Sequence, residues 1–269
     1  MASHSQKHPW HMVEPSPWPA VGTVAAFTSA TGLIWFMHGG PPWVLAAGLT
    51  LLLVTFFGWW RDMVREATFQ GHHTDPVSHG LRIGMLLFIA SEVMFFFAFF
   101  WAFFHSSMPI LSKVAIAPWP PKGIIPLETW TLPFFNTLVL LTSGATVTYA
   151  HHALRASNQR GTVIGLLLTI ALGIIFTGTQ AYEYVHAAFK LKDGIYGSTF
   201  YLATGFHGAH VIIGTCFLTV CLFRAMKGHF KPDKHVGFEA AAWYWHFVDV
   251  VWIFLFTWIY WWGSYGYKG

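Results

Sequence analysis

Leu81-Arg82-Ile83-Gly84-Met85-Leu86-Leu87-Phe88-Ile89-Ala90-Ser91-Glu92-Val93-Met94-Phe95-Phe96-Phe97-Ala98-Phe99-Phe100-Trp101-Ala102-Phe103-Phe104-His105 is apolar almost without interruption, with one acid near its middle. As a helix it is longer than the roughly 30 Å of a bilayer's hydrocarbon core. Nothing in it alternates apolar with polar residues at the period of a half-buried strand or a surface helix. It reads as a transmembrane helix. Six further stretches read the same way: 18–38, 43–60, 131–154, 161–187, 196–224 and 236–262. The fold class that follows is all-α, a polytopic membrane protein with seven transmembrane helices.

Composition agrees. Of 269 residues, 55% are hydrophobic and only 10% charged, which excludes an ordinary soluble globule. Aromatics at 19% exclude disorder and coiled coil. The formal charge of +4 is spread without dense basic runs, so nucleic acid is not a partner. Cys216 and Cys221 fit neither a disulfide framework nor an iron–sulfur site. Residues 1–17 form a polar tail without the basic start and apolar core of a signal peptide, so the first span is expected to insert uncleaved.

The breaks between spans give orientation and grouping. If spans alternate, Lys7, Arg61, Arg65, Arg82, Arg155, Arg160, Arg224, Lys227, Lys231 and Lys234 lie on the N-terminal side, ten of the fifteen basic residues. The positive-inside rule then places the N-terminus inside and the C-terminus outside. The long polar run 61–80 reads as an inner-side linker between a two-helix unit (18–60) and a five-helix unit (81–269), a 2+5 arrangement. No internal repeat or matched pair of broken helices argues for a secondary transporter.

Ionisable groups at membrane depth are where chemistry is sought, because burying them there is costly. Glu92 lies near mid-depth among phenylalanines, where the neutral acid, able to donate a hydrogen bond or carry a proton, is favoured. His207 and His210 stand three apart in a segment holding Gly205, Gly208 and Gly214, and His207 reaches comparable depth, making it the first candidate partner of Glu92, with Asp249 the second. His246 and Asp249 form another three-apart pair, suited to a structural hydrogen bond or to facing a partner subunit. Glu183 and His186 match the Glu-x-x-His pattern of di-metal bundles, but lie near the outer boundary, away from Glu92 and His207, so no metal site is expected. His72, His73 and His79, with His4, His8 and His11 of the tail, make a His-rich inner face that either buffers protons or is simply solvated.

Together these segments resemble subunit III of the haem-copper cytochrome c oxidases, end to end. The resemblance is carried by His11-Met12-Val13 with Pro15-Ser16-Pro17-Trp18-Pro19, Trp59-Trp60-Arg61-Asp62, Arg65-Glu66, Gln70-Gly71-His72-His73-Thr74, Ser91-Glu92-Val93, Trp119-Pro120-Pro121, Tyr196-Gly197-Ser198-Thr199-Phe200 and, most specifically, Val236 through Trp252. It departs in Asp75 before Pro76 and in an extended tail, 264–269. The resemblance implies seven helices with I and II splayed from III–VII around a lipid-filled V-shaped cleft. It implies a chain with no cofactor and no catalytic or metal residue of its own. Haem and copper lie in partner subunits: subunit I is contacted directly, and subunit II and further subunits belong to the same complex. It also implies support of proton uptake and protection from turnover-linked inactivation. The family's phospholipid contacts map to Trp60, Arg65, Glu66, His73, Arg224, Lys227 and His229, and its intramembrane carboxylate to Glu92. The expected location is a bacterial plasma membrane, or else the mitochondrial inner membrane. The competing readings are a membrane di-metal oxygenase using Glu92, Glu183, His186, His207 and His210, and a proton-coupled transporter with Glu92 as carrier.

Overall fold

The structure is a computed structural model that describes residues 9–10, 15–111, 113, 115–116 and 118–266. Among these residues are seven long helices: α1 Trp18–Met37, α2 Trp43–Arg65, α3 Asp75–Ser107, α4 Leu132–Arg155, α5 Gln159–His186, α6 Gly194–Met226 and α7 Val236–Phe254. Two of them continue in π-helical geometry, α2 through Glu66–Gln70 and α7 through Leu255–Trp262. The chain divides into two compact units, Met1–Leu81 and Arg82–Gly269. The polar run 61–80, read from sequence as a linker, is largely helical. The α2 helix and its π segment persist to Gln70, Gly71 (φ 69°) ends them in the left-handed region, and α3 begins at Asp75 with Pro76 in its first turn. Charged residues end an apolar run without ending a helix, because their backbones still make the helical hydrogen bonds, i to i−4 through α2 and i to i−5 in its π segment.

In the first unit α1 and α2 form an antiparallel hairpin turned at Gly39, whose φ of 84° favours glycine. The two backbones touch. A Cβ on Gly32 would lie 2.6 Å from the Leu45 nitrogen, so only a residue without a side chain permits this approach. At the other end the Trp18 indole donates to Asp62 Oδ2 at 2.7 Å.

The second unit carries the core. Trp245, Trp252, Tyr260, Phe96, Phe103, Phe176 and Phe200 are among its largest fully buried side chains. Trp245 fits beneath Gly173 and Gly214, either of which would place a Cβ 2.8 Å from the indole. Both buried indoles of α7 find hydroxyl acceptors on α4: Trp245 Nε1 donates to Ser143 Oγ and Trp252 Nε1 to Thr137 Oγ1, each at 2.9 Å. That polarity explains why α4 stands apart. Among the described residues, six helices are long and apolar enough to cross a membrane, and α4 does not qualify by composition. Asn136, Thr137 and Ser143, which lower its hydropathy, are buried against neighbouring helices. The outward faces elsewhere are apolar, as at Ile174, Ile213 and Phe223.

Candidate functional site

Near the middle of α3 and α6, Glu92 Oε2 lies 2.9 Å from His210 Nε2. The other ring nitrogen, Nδ1, is 2.6 Å from the Phe206 carbonyl, which can only accept, so Nδ1 carries a hydrogen. Nε2 then either accepts from a protonated Glu92 or, as imidazolium, donates to the carboxylate. In both cases a single proton lies between the two side chains. Phe96, centred 4.9 Å from the imidazole, and Tyr244, stacked at 6.2 Å, wall the pair.

His207, the partner expected from sequence, turns elsewhere. Its Nε2–H donates to the Val248 carbonyl at 3.1 Å, and its ring packs on Trp252 and Phe176. Three residues of helix rotate a side chain by about 300°, leaving two such positions about 60° apart around the axis. That offset sends His210 to α3 and His207 into the α5–α7 interior. Asp249, the second candidate, faces α4 instead.

A second polar network closes the other half of the bundle. Tyr260 OH and Gln180 Nε2 donate to Glu183 Oε1 at 2.7 and 3.2 Å, and Asn136, held by Thr179, reaches Gln180. Glu183 is 2% exposed. Sequence reading missed this network because its members come from three helices; the recurrence of Asn136, Gln180 and Glu183 in apolar spans was the available signal. His186 bonds back to the Tyr182 carbonyl at 2.8 Å and stacks on that ring. The Glu-x-x-His residues are thus engaged separately, and no group of three or more His, Cys, Asp or Glu side chains that could hold a metal occurs among the described residues.

On the α4–α7 surface, His246 Nδ1 lies 3.4 Å from Asp249 Oδ2, and its Nε2 lies 3.1 Å from Thr148 Oγ1. Toward the end of the bundle holding the α4–α5 and α6–α7 turns, Arg82 pairs with Glu239 at 2.8 Å. Beside them His151 Nε2 meets His235 Nε2 at 3.1 Å. The His235 Nδ1–H donates to the Lys231 carbonyl at 3.0 Å, so in the neutral pair His151 is the donor.

The residues mapped to lipid contacts occupy two places, one in each unit. In the second unit Arg224 lies over the Phe230 ring at 4.4 Å, with exposed Lys227 and part-buried His229 following it. Burial, together with the positive charges of Arg224 and Lys227, lowers the His229 imidazole below its ordinary value. In the first unit Trp60 and Arg65 are exposed near the end of α2, Glu66 opens its π segment, and His73 lies in the short turn that follows. His72 and His79 are described in this region, whereas His4, His8 and His11 lie outside the described residues.

Nearly the whole chain matches known proteins. A family model for cytochrome c oxidase subunit III matches residues 8–264. Among curated relatives, proteins named cytochrome c oxidase subunit 3 are 60% identical over 261 residues in Prototheca wickerhamii and 58% identical over 264 residues in Marchantia polymorpha, covering 96% and 97% of this chain and 99% of each relative. One from Scyliorhinus canicula is 58% identical over 260 residues, again 96% of this chain and 99% of the relative. With seven helices, a polar interior held by hydrogen bonds and a family match running nearly end to end, this chain belongs to the cytochrome c oxidase subunit III family, the oxidoreductase being the assembled complex.

Proposed function

We propose that this chain docks directly on subunit I of the oxidase, shares the complex with subunit II and further subunits, and holds structural phospholipids that keep proton delivery and turnover stable. Haem, copper and the oxygen chemistry belong to the partner subunits. The N-terminus faces the inner side of an energy-coupling membrane, the bacterial plasma membrane or the mitochondrial inner membrane. The 2+5 arrangement with its lipid cleft is part of the same reading.

The observation that carries the lipid role is the Arg224, Lys227 and His229 set, three nitrogen donors within six residues at one end of the second unit. A cation at a span end, with an aromatic ring to orient it, suits an anionic headgroup. Trp60, Arg65 and His73 offer a comparable set of donors in the first unit, with Glu66 able to accept from a headgroup hydroxyl or ammonium, and His72, His73 and His79 would buffer protons beside it. Arg224→Ala removes one charge-assisted phosphate contact, an effect of about 1.5–3 kcal/mol where the contact is desolvated. Phosphorus and mass-spectrometric analysis of the purified variant complex should find fewer tightly bound phospholipids than wild type. Unchanged lipid content would overturn the lipid assignment.

A further inference from the structure

Among the described residues, the buried polar atoms Glu183 Oε2, His207 Nδ1 and Asp249 Oδ1 have no hydrogen-bond partner, and of these Asp249 lines an open groove. Asp249 is 6% exposed, yet its Oδ1 has no hydrogen-bond partner. Its Oδ2 faces His246 at 3.4 Å and lies so near Gly144 that a Cβ there would collide with it. His246, beside it, is 44% exposed through its side chain. Thr148 has one hydroxyl hydrogen, which goes to the Gly144 carbonyl at 2.9 Å, leaving its oxygen to accept from His246 Nε2–H at 3.1 Å. His246 Nδ1 then faces Asp249 Oδ2 at ion-pair distance, and Oδ1 still has no partner.

The position matters as much as the chemistry. Asp249 is thirteen residues into α7 and Gly144 twelve into α4, so both lie roughly 18–20 Å from helix starts at opposite ends, close to mid-depth. Lipid chains at that depth offer no donor, and headgroups do not reach it. A part-exposed imidazole and an unsatisfied carboxylate facing only acyl chains would be costly, and such groups face protein or water instead. A groove of about 480 Å³ opens over them, lined by Gly144, Ala145, Thr148, His246, Asp249 and Val250 among others. Glycine and alanine on its α4 side allow a backbone to approach closely.

We propose that this α4–α7 groove is the seat of a transmembrane helix from another subunit of the oxidase, which inserts a hydrogen-bond-donating side chain toward Asp249. The acceptor chemistry selects the occupant: an amide, hydroxyl, indole or cationic side chain completes the carboxylate, whereas a purely aliphatic helix or a lipid chain leaves it incomplete. The inference deepens the docking role proposed above and rests on it.

A photo-crosslinking amino acid at Val250, an exposed groove residue, tests this in the intact complex purified in mild detergent. The expected result is a covalent adduct whose mapped peptide is a transmembrane segment of another subunit. Asp249→Asn, which keeps an acceptor, should retain the adduct, and Asp249→Leu should reduce its yield several-fold. Adducts confined to lipid, detergent or this chain would overturn the proposal, as would a yield indifferent to Asp249→Leu. If Asp249→Leu fails to accumulate, the adduct formed with Asp249 intact still decides the matter. Failure of any haem-bearing subunit to co-purify would instead count against the oxidase role.

Discussion

Glu92 and His210 hold one proton between two side chains, an arrangement fixed by the Phe206 carbonyl, which takes the other imidazole hydrogen. Glu92→Gln should therefore be tolerated: the amide donates to Nε2 as the neutral acid would, and the complex should keep its haem spectrum and most of its oxygen reduction. Glu92→Ala strands the imidazole in an apolar setting, with an expected cost of about 1–3 kcal/mol, read as a lower thermal midpoint of the complex. A Gln variant that assembles fully yet loses nearly all turnover would make ionisation of Glu92 essential and contradict this reading. His229 gives a separate pH test. With its imidazole lowered by burial and by Arg224 and Lys227, the neutral form is favoured in the absence of an anion. A phosphate bound beside it would favour the imidazolium, so binding takes up protons and should strengthen as pH falls from about 8 to about 6. Lipid retention in detergent washes across that range checks the sign, and His229→Ala should flatten the dependence.

At the scale of elements, glycine placement controls how closely helices approach. A Cβ on Gly165 would lie 2.7 Å from Ala150 Cβ, so Gly165→Val should force α4 from α5, at about 1–3 kcal/mol. Gly178, also in α5, has open space around it, and Gly178→Ala should stabilise the helix by about 0.5–1 kcal/mol. Thermal unfolding of the two variants should move in opposite directions. The helices themselves were legible in the sequence because each carries a long, predominantly apolar run bounded by Gly, Pro or charge, α4 least so because Asn136, Thr137 and Ser143 interrupt it. Their ends were less so, since the helix through Arg61–Gln70 continues after its side chains turn polar. Helix partners were least legible. Whether His207 or His210 meets Glu92 depends on a rotation of about 60° about the α6 axis, which three-residue spacing does not specify. The Asn136–Gln180–Glu183–Tyr260 network escaped for the same reason, its members being brought together only by the packing of α4, α5 and α7.

For the whole molecule, Glu92, Glu183, His207 and His210 each hydrogen-bond within the chain, while Asp249 Oδ1 is left to a partner from outside. Their arrangement suits a subunit that holds helices, lipids and neighbours in place while the redox chemistry proceeds elsewhere in the complex. The most direct test is oxygen consumption over successive turnovers by the purified oxidase with this chain selectively removed, compared with the same preparation after it is added back. The expected result is an unchanged haem spectrum and a largely preserved initial rate, followed by faster loss of activity that the added chain and its phospholipid reverse. An altered haem spectrum with immediate loss of all turnover would contradict it, because the chain would then be part of the redox machinery itself.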